Sequence, residues 1–95
     1  MKEIERPKIN FNFLRSDKCY LENDLFVIIN NLSEEKFYLT KTGMQHRLDG
    51  HAAIFCYDKY FYIYGIYRNN LEFAKETKHL VCKLCYDFCK QKCFL

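Results

Sequence analysis

Residues 52–57 and 60–64 are two apolar, β-rich runs with Asp58-Lys59 between them, which is hairpin spacing. A two-residue type I′ turn needs φ > 0 at both central positions, and a lysine resists that, so the alternative is a wider loop reaching into Tyr57. Upstream, Ile9-Asn10-Phe11-Asn12-Phe13 alternates strictly and predicts a half-buried strand with its asparagines outward. Residues 25–29 (LFVII) form a short continuous apolar run whose β-branching favours a central strand, ended by Asn30-Asn31. Residues 36–40 (KFYLT) put Phe37 and Leu39 on one face and Tyr38 and Thr40 on the other, and Lys41-Thr42-Gly43 is turn chemistry. Residues 14–24 are mixed and read as loop. Residues 1–8 are charged, carry the single proline, and read as a flexible arm or edge segment. Residues 66–68 are expected to run out of the sheet.

Beyond Arg68 the period changes. Asn69 is a good N-cap, and Glu72 three residues on completes a capping-box pattern. Phe73, Leu80, Leu84 and Phe88 cluster on one side at helical spacing, while Glu72, Glu76, His79, Lys83, Asp87 and Lys90 make a separate wet side. The pattern predicts a single α+β domain over residues 1–95: an arm (1–8), an antiparallel β-meander of about four to five strands (9–68), and one C-terminal helix (69–93) packed on it. A weak internal repeat supports the meander. Residues 35–47 and 58–68 both run acid, lysine, aromatic strand, glycine turn, arginine.

Composition sharpens this in two ways. Nine Phe and eight Tyr with no Trp favour pleated surfaces. The net charge of +3 comes from 15 basic and 12 acidic residues that are scattered, so a basic nucleic-acid face is suggested only near the C-terminus. No apolar run approaches the roughly 18 residues of a membrane span, and the start has no apolar signal region, so no membrane partner is expected. A cytoplasmic location follows as the expectation, with the six cysteines as thiols.

The stretch His46-Arg47-Leu48-Asp49-Gly50 resembles the H-R-x-D-G-P-A hairpin repeat of phage and giant-virus proteins. Ala52 takes the alanine position, Tyr60 to Tyr64 the aromatic strand and Gly65 the glycine turn; His51 stands where the repeat has proline, and the usual tryptophan is missing. The resemblance implies a β-meander and a viral or phage setting, which would make the host cytoplasm the location, and it implies no reaction. The residues themselves suggest a structural turn, with Arg47 and Asp49 paired across it and His46 bonded to a carbonyl. The alternative is a small anion site made by Arg47 with His46 and His51.

Cys82, Cys85, Cys89 and Cys93 give C-x2-C-x3-C-x3-C, thiol spacing that suggests zinc. On a continuous helix, however, they form a stripe within about 80° and about 16 Å long, which one zinc cannot gather. The competing reading is a packing rim. Cys56 reads as strand core and Cys19 carries no motif.

There is no phosphate-cradling glycine loop, nucleophile elbow or HExxH, so no enzyme is expected. The leading expectation is a small viral-type binding protein that occupies a host macromolecule, for instance as an inhibitor of a host defence protein. Tyr38, Tyr60, Tyr62, Tyr64 and Tyr67 are its candidate contact residues. The alternative is a zinc-stabilised nucleic-acid-binding protein using the cysteine-rich helix. A homo-oligomer hiding its Cys or Tyr stripe is a third possibility.

Overall fold

The computed structural model describes residues 1–77. They form β1 (Lys2–Ile4), β2 (Lys18–Glu22), β3 (Leu25–Asn30), β4 (Glu35–Leu39), β5 (Ala53–Ile54), β6 (Lys59–Ile63), β7 (Ile66–Arg68) and one helix, α1 (Asn70–Thr77). The strands lie side by side in chain order and every neighbouring pair is antiparallel. This is the expected meander backed by a helix, with seven strands instead of four or five.

The extra strands come from three places. Of the two readings of residues 1–8, the edge segment is what residues 2–4 form, because Lys2, Glu3 and Ile4 pair with Leu21, Tyr20 and Cys19 as an edge strand. Exposed Lys2 and Glu3 are the charged side chains that keep such an edge from recruiting another chain. Residues 14–24 are not all loop, because β2 pairs along its length with β3 through the two-residue turn Asn23-Asp24, whose φ values are 50° and 64°. Both are left-handed, as a type I′ hairpin requires, and Asn and Asp tolerate that region better than other side-chain-bearing residues. Ile66–Arg68 does not leave the sheet. It returns along β6 through a second such turn, Tyr64-Gly65, with φ 47° and 81°.

Residues 9–13 correct the expectation in the other direction. They make no ladder. Instead Ile9, Phe11 and Phe13 each donate an N–H to the carbonyl two residues back, at 2.9–3.1 Å. Successive two-residue turns repeat with the same period as a strand, so Ile9, Phe11 and Phe13 still share a side and cover the sheet. Beneath them lie Cys19, Ile28 and Leu39, in register across β2, β3 and β4 with Phe26 and Phe37. The opposite side of the same strands buries Val27 and Tyr38 with Ala52. Full burial of Val27, Ile28 and Leu39 contributes about 1.5–3 kcal/mol each.

The Asp58-Lys59 connection is the wider loop, closed by the Phe55 N–H donating to the Asp58 carbonyl at 2.7 Å. Cys56 therefore sits exposed in that loop and not in the core. Its thiol donates to the Glu34 carboxylate at 3.1 Å, and that bond raises its pKa above the ordinary thiol value. The capping box forms as expected. The Asn69 side chain accepts the Glu72 N–H at 2.9 Å, and Glu72 accepts the Asn69 N–H at 3.0 Å. Phe73 on α1 stacks on Phe61 of β6, which in turn stacks on His51, each at 4.0 Å. An Arg68–Glu76 ion pair at 2.7 Å adds a second tie between α1 and β7. The rest of the expected helix, with Cys82, Cys85, Cys89 and Cys93, lies outside the described residues.

Candidate functional site, a clasped loop beside a tyrosine hairpin

Between β4 and β6 the chain passes twice. Gln45 bridges Leu39, and the His46 N–H donates to the Tyr38 carbonyl at 3.0 Å. The chain then leaves the sheet and comes back at Ala52, whose carbonyl accepts the Tyr38 N–H at 2.8 Å. Tyr38 thus bonds to both ends of one interrupted strand. The same break faces β6, where the Arg47 N–H donates to the Tyr62 carbonyl and the Ala52 N–H to the Tyr60 carbonyl, at 3.1 and 2.9 Å. Residues 47–51 are a loop let out of a strand, an enlarged version of the bulges that redirect strands elsewhere.

Arg47 closes that loop. Its Nε donates to Asp49 Oδ1 at 2.8 Å and its Nη1 to the His51 carbonyl at 3.1 Å. Its guanidinium lies over the Tyr38 ring, 4.0 Å from the centroid, so cation–π attraction holds the flat face while the edge holds the loop. Gly50 leaves the room this needs, because a Cβ there would stand 2.8 Å from Arg47 Cζ. The residue types of the His46–Gly50 stretch have a physical reason in this geometry: an arginine to bond three ways, an aspartate to orient it and a glycine to make space.

His46 acts differently from the expectation. It is 6% exposed, and its Nδ1 accepts the Tyr64 N–H at 2.9 Å instead of the ring donating to a carbonyl. Its ring stacks on the Tyr64 ring at 4.0 Å. Burial lowers the pKa of His46, and that of His51, where Lys59 and Arg47 lower it further. Both are neutral near pH 7, and the Arg47 guanidinium is already bonded and stacked. The geometry joins these residues in a clasp, with Arg47 Nε and Nη1 taken up by Asp49 and the His51 carbonyl.

The tyrosines divide. Tyr38 is a correction to the contact set, since it is 4% exposed beneath Arg47 and inside the sheet. Tyr60 and Tyr62 are half-buried, and Tyr67 meets both rings edge to face at 6.2 and 6.0 Å. Tyr64 and Tyr67 are open, at 60% and 52%, with Ile66 at 55% between them. Exposed Met44 packs beside the Tyr64-Gly65 turn and joins them. Sequence reasoning missed Ile66 and Met44. The Gly65 turn signal would have placed Ile66 on a return strand. Nothing in the local pattern marks Met44.

A cleft of about 300 Å³ runs between the Asn23-Asp24 turn and the clasped loop, bordered by Glu22, Leu25, His46, Arg47, Leu48 and Asp49. Among the described residues no group of three His, Cys, Asp or Glu side chains could hold a metal. No helix among them is long and apolar enough to cross a membrane. The fold and site define a small antiparallel meander that carries one clasped loop and one exposed tyrosine hairpin. Comparison with protein-family models, with curated proteins and with solved structures gave no match.

Proposed function

We propose that the protein is a small non-enzymatic binder of phage or viral type that acts by occupying a host protein through the β6–β7 hairpin. The observation that carries this reading is the open Tyr64-Gly65-Ile66-Tyr67 tip, held rigid from behind by His46, by the Gly65 N–H to the Gln45 carbonyl at 2.7 Å, and by the Tyr60 and Tyr62 rings. Tyrosines fixed in this way offer large contact area at low entropic cost, which is what binding surfaces select. β7 is also the last strand of the sheet, so one edge of its backbone has no strand neighbour among the described residues. The resemblance of the His46–Gly50 stretch to a viral repeat supports the setting, and inhibition of a host defence protein is its most specific form.

The test is a photo-crosslinking amino acid at Ile66, expressed in host cells. A discrete covalent adduct that disappears with the double substitution Y64S/Y67S supports the reading. An adduct indifferent to that substitution, or none, overturns it. Metal analysis of protein purified without chelator bears on the alternative. Stoichiometric zinc together with salt-sensitive DNA or RNA binding would move the function to a zinc-stabilised nucleic-acid-binding protein acting through Cys82, Cys85, Cys89 and Cys93.

A further inference from the structure

We propose that His46 is a proton-sensitive latch on the Tyr64-Gly65 turn, so that protonating its ring releases the tyrosine tip from the sheet. The tip needs a latch. Tyr64 sits at φ 47°, in the left-handed region where a bulky aromatic residue is strained, and such residues persist only where their surroundings hold them. The Gly65 N–H to the Gln45 carbonyl and the β6–β7 ladder anchor the turn around it, and His46 is what engages Tyr64 itself. The ring takes the Tyr64 N–H on Nδ1 at 2.9 Å and stacks on the Tyr64 side chain at 4.0 Å.

An accepting Nδ1 fixes the neutral tautomer with its proton on Nε2. Adding a second proton turns Nδ1 into a donor that faces another donor. The bond that holds the turn is then lost and two N–H groups oppose each other. The charge also arises on a side chain that is 6% exposed, where it is poorly solvated. The charged groups on the elements around it are mixed. Glu22 at the end of β2, Asp24 in the β2–β3 turn and Asp49 in the clasped loop favour a cation, while Lys41 and Arg47 oppose one. Lys41 and Asp24 lie 3.6 Å apart and Arg47 and Asp49 2.8 Å apart, so two of the three carboxylates are already paired. Burial therefore dominates, and it lowers the His46 pKa.

The released tip would present Tyr64, Ile66 and Tyr67 in many conformations instead of one, so partner binding would weaken in mild acid. That consequence rests on the binding reading above; the latch itself does not.

The experiment is a pH titration of ¹⁵N-labelled full-length protein from 7.5 to 5.5, following the Tyr64 amide protection factor and the His46 ring resonances together. An opened tip with an ordinary imidazole pKa of about 6.5 predicts protection falling by up to about tenfold over that range. H46N keeps an acceptor oxygen near the Nδ1 position and does not titrate, so its Tyr64 protection should stay flat. H51N, which removes the other described titrating ring, should behave as wild type. A Tyr64 protection factor that does not change while His46 titrates overturns the latch, and so does the same pH response in H46N. If the latch holds and the Ile66 crosslink fails, the device stands and the binding reading falls.

Discussion

Substituting Gly50→Ala tests the clasp through space alone. Gly50 is not in the left-handed region, so an alanine there meets no backbone strain. It meets Arg47 instead, with its methyl 2.8 Å from Cζ and 2.9 Å from Nη1. The guanidinium is the end of a flexible side chain and can swing away, but doing so forfeits three interactions. The stacking on Tyr38 contributes about 1 kcal/mol. The charged hydrogen bond to the His51 carbonyl contributes about 1 kcal/mol, at the low end because it is only part-buried. The pair with the largely exposed Asp49 adds roughly 0.5 kcal/mol. Set against the roughly 0.5 kcal/mol that Gly→Ala gains through the unfolded chain, Gly50→Ala should cost about 2 kcal/mol, or roughly 10 °C in Tm for a domain of this size. In an Arg47→Ala background the three atoms nearest that methyl are gone, and the same change should be neutral, or stabilising by roughly 0.5 kcal/mol through the unfolded chain. The assay is a double-mutant cycle from urea unfolding, read by tyrosine fluorescence because the chain has no Trp. A cost for Gly50→Ala that is the same in both backgrounds would show that the glycine serves the backbone and that the clasp explanation is wrong.

Three further outcomes follow from the same structure. Leu39→Ala removes a side chain with no exposed surface at the centre of the β2–β4 core and should cost about 2–5 kcal/mol in urea unfolding; a cost under about 1 kcal/mol would place the core elsewhere. Asn69→Ala removes the Oδ1 that accepts the Glu72 N–H, while the backbone N–H of residue 69 still donates to Glu72, and should cost about 1 kcal/mol, with the loss of amide protection confined to the first turn of α1. Burial holds His46 and His51 below the ordinary imidazole pKa, so the unfolded chain binds more protons once pH drops under about 6.5. Stability from these groups is complete above that value and declines as pH falls toward their folded values. The urea midpoint should be lower at pH 5.5 than at 7.5, and the reverse order would contradict the burial argument.

β3, β4 and the β5–β6 hairpin were legible because their apolar runs are long enough, or alternate cleanly enough, to declare a pleated surface. The capping box was legible because Asn69 and Glu72 act locally. The misses share a cause, which is that tertiary context supplied what the local pattern lacked. Residues 9–13 alternate like a strand but donate locally, each odd N–H to the carbonyl two residues back, since period two is common to a strand and to consecutive two-residue turns. β1 is too short and charged to show a pattern, and it exists because β2 offers it an edge. β2 was hidden by polar neighbours, although Asn23-Asp24 is a type I′ signal that could have revealed it. β7 was lost because Tyr64 is not a turn residue. It takes a left-handed conformation because the two-residue turn requires one, and His46, 18 residues away, accepts its N–H there. The pairing of Arg47 with Asp49 could be read from sequence. The burial of Tyr38 under that arginine could not, because nothing in KFYLT says that a loop from beyond Gly43 returns over it.

The interrupted strand is the feature from which the clasp, the latch and the tyrosine tip all follow, and amide hydrogen exchange across residues 45–54 reads it directly. The His46, Arg47 and Ala52 amides donate to Tyr38, Tyr62 and Tyr60 carbonyls and should be protected, while those of Leu48, Asp49, Gly50 and His51 have no backbone acceptor among the described residues and should exchange freely. Protection on both flanks with an open gap between them is the predicted result. Alternating protection running unbroken through residues 48–51, or none at Ala52, would contradict it.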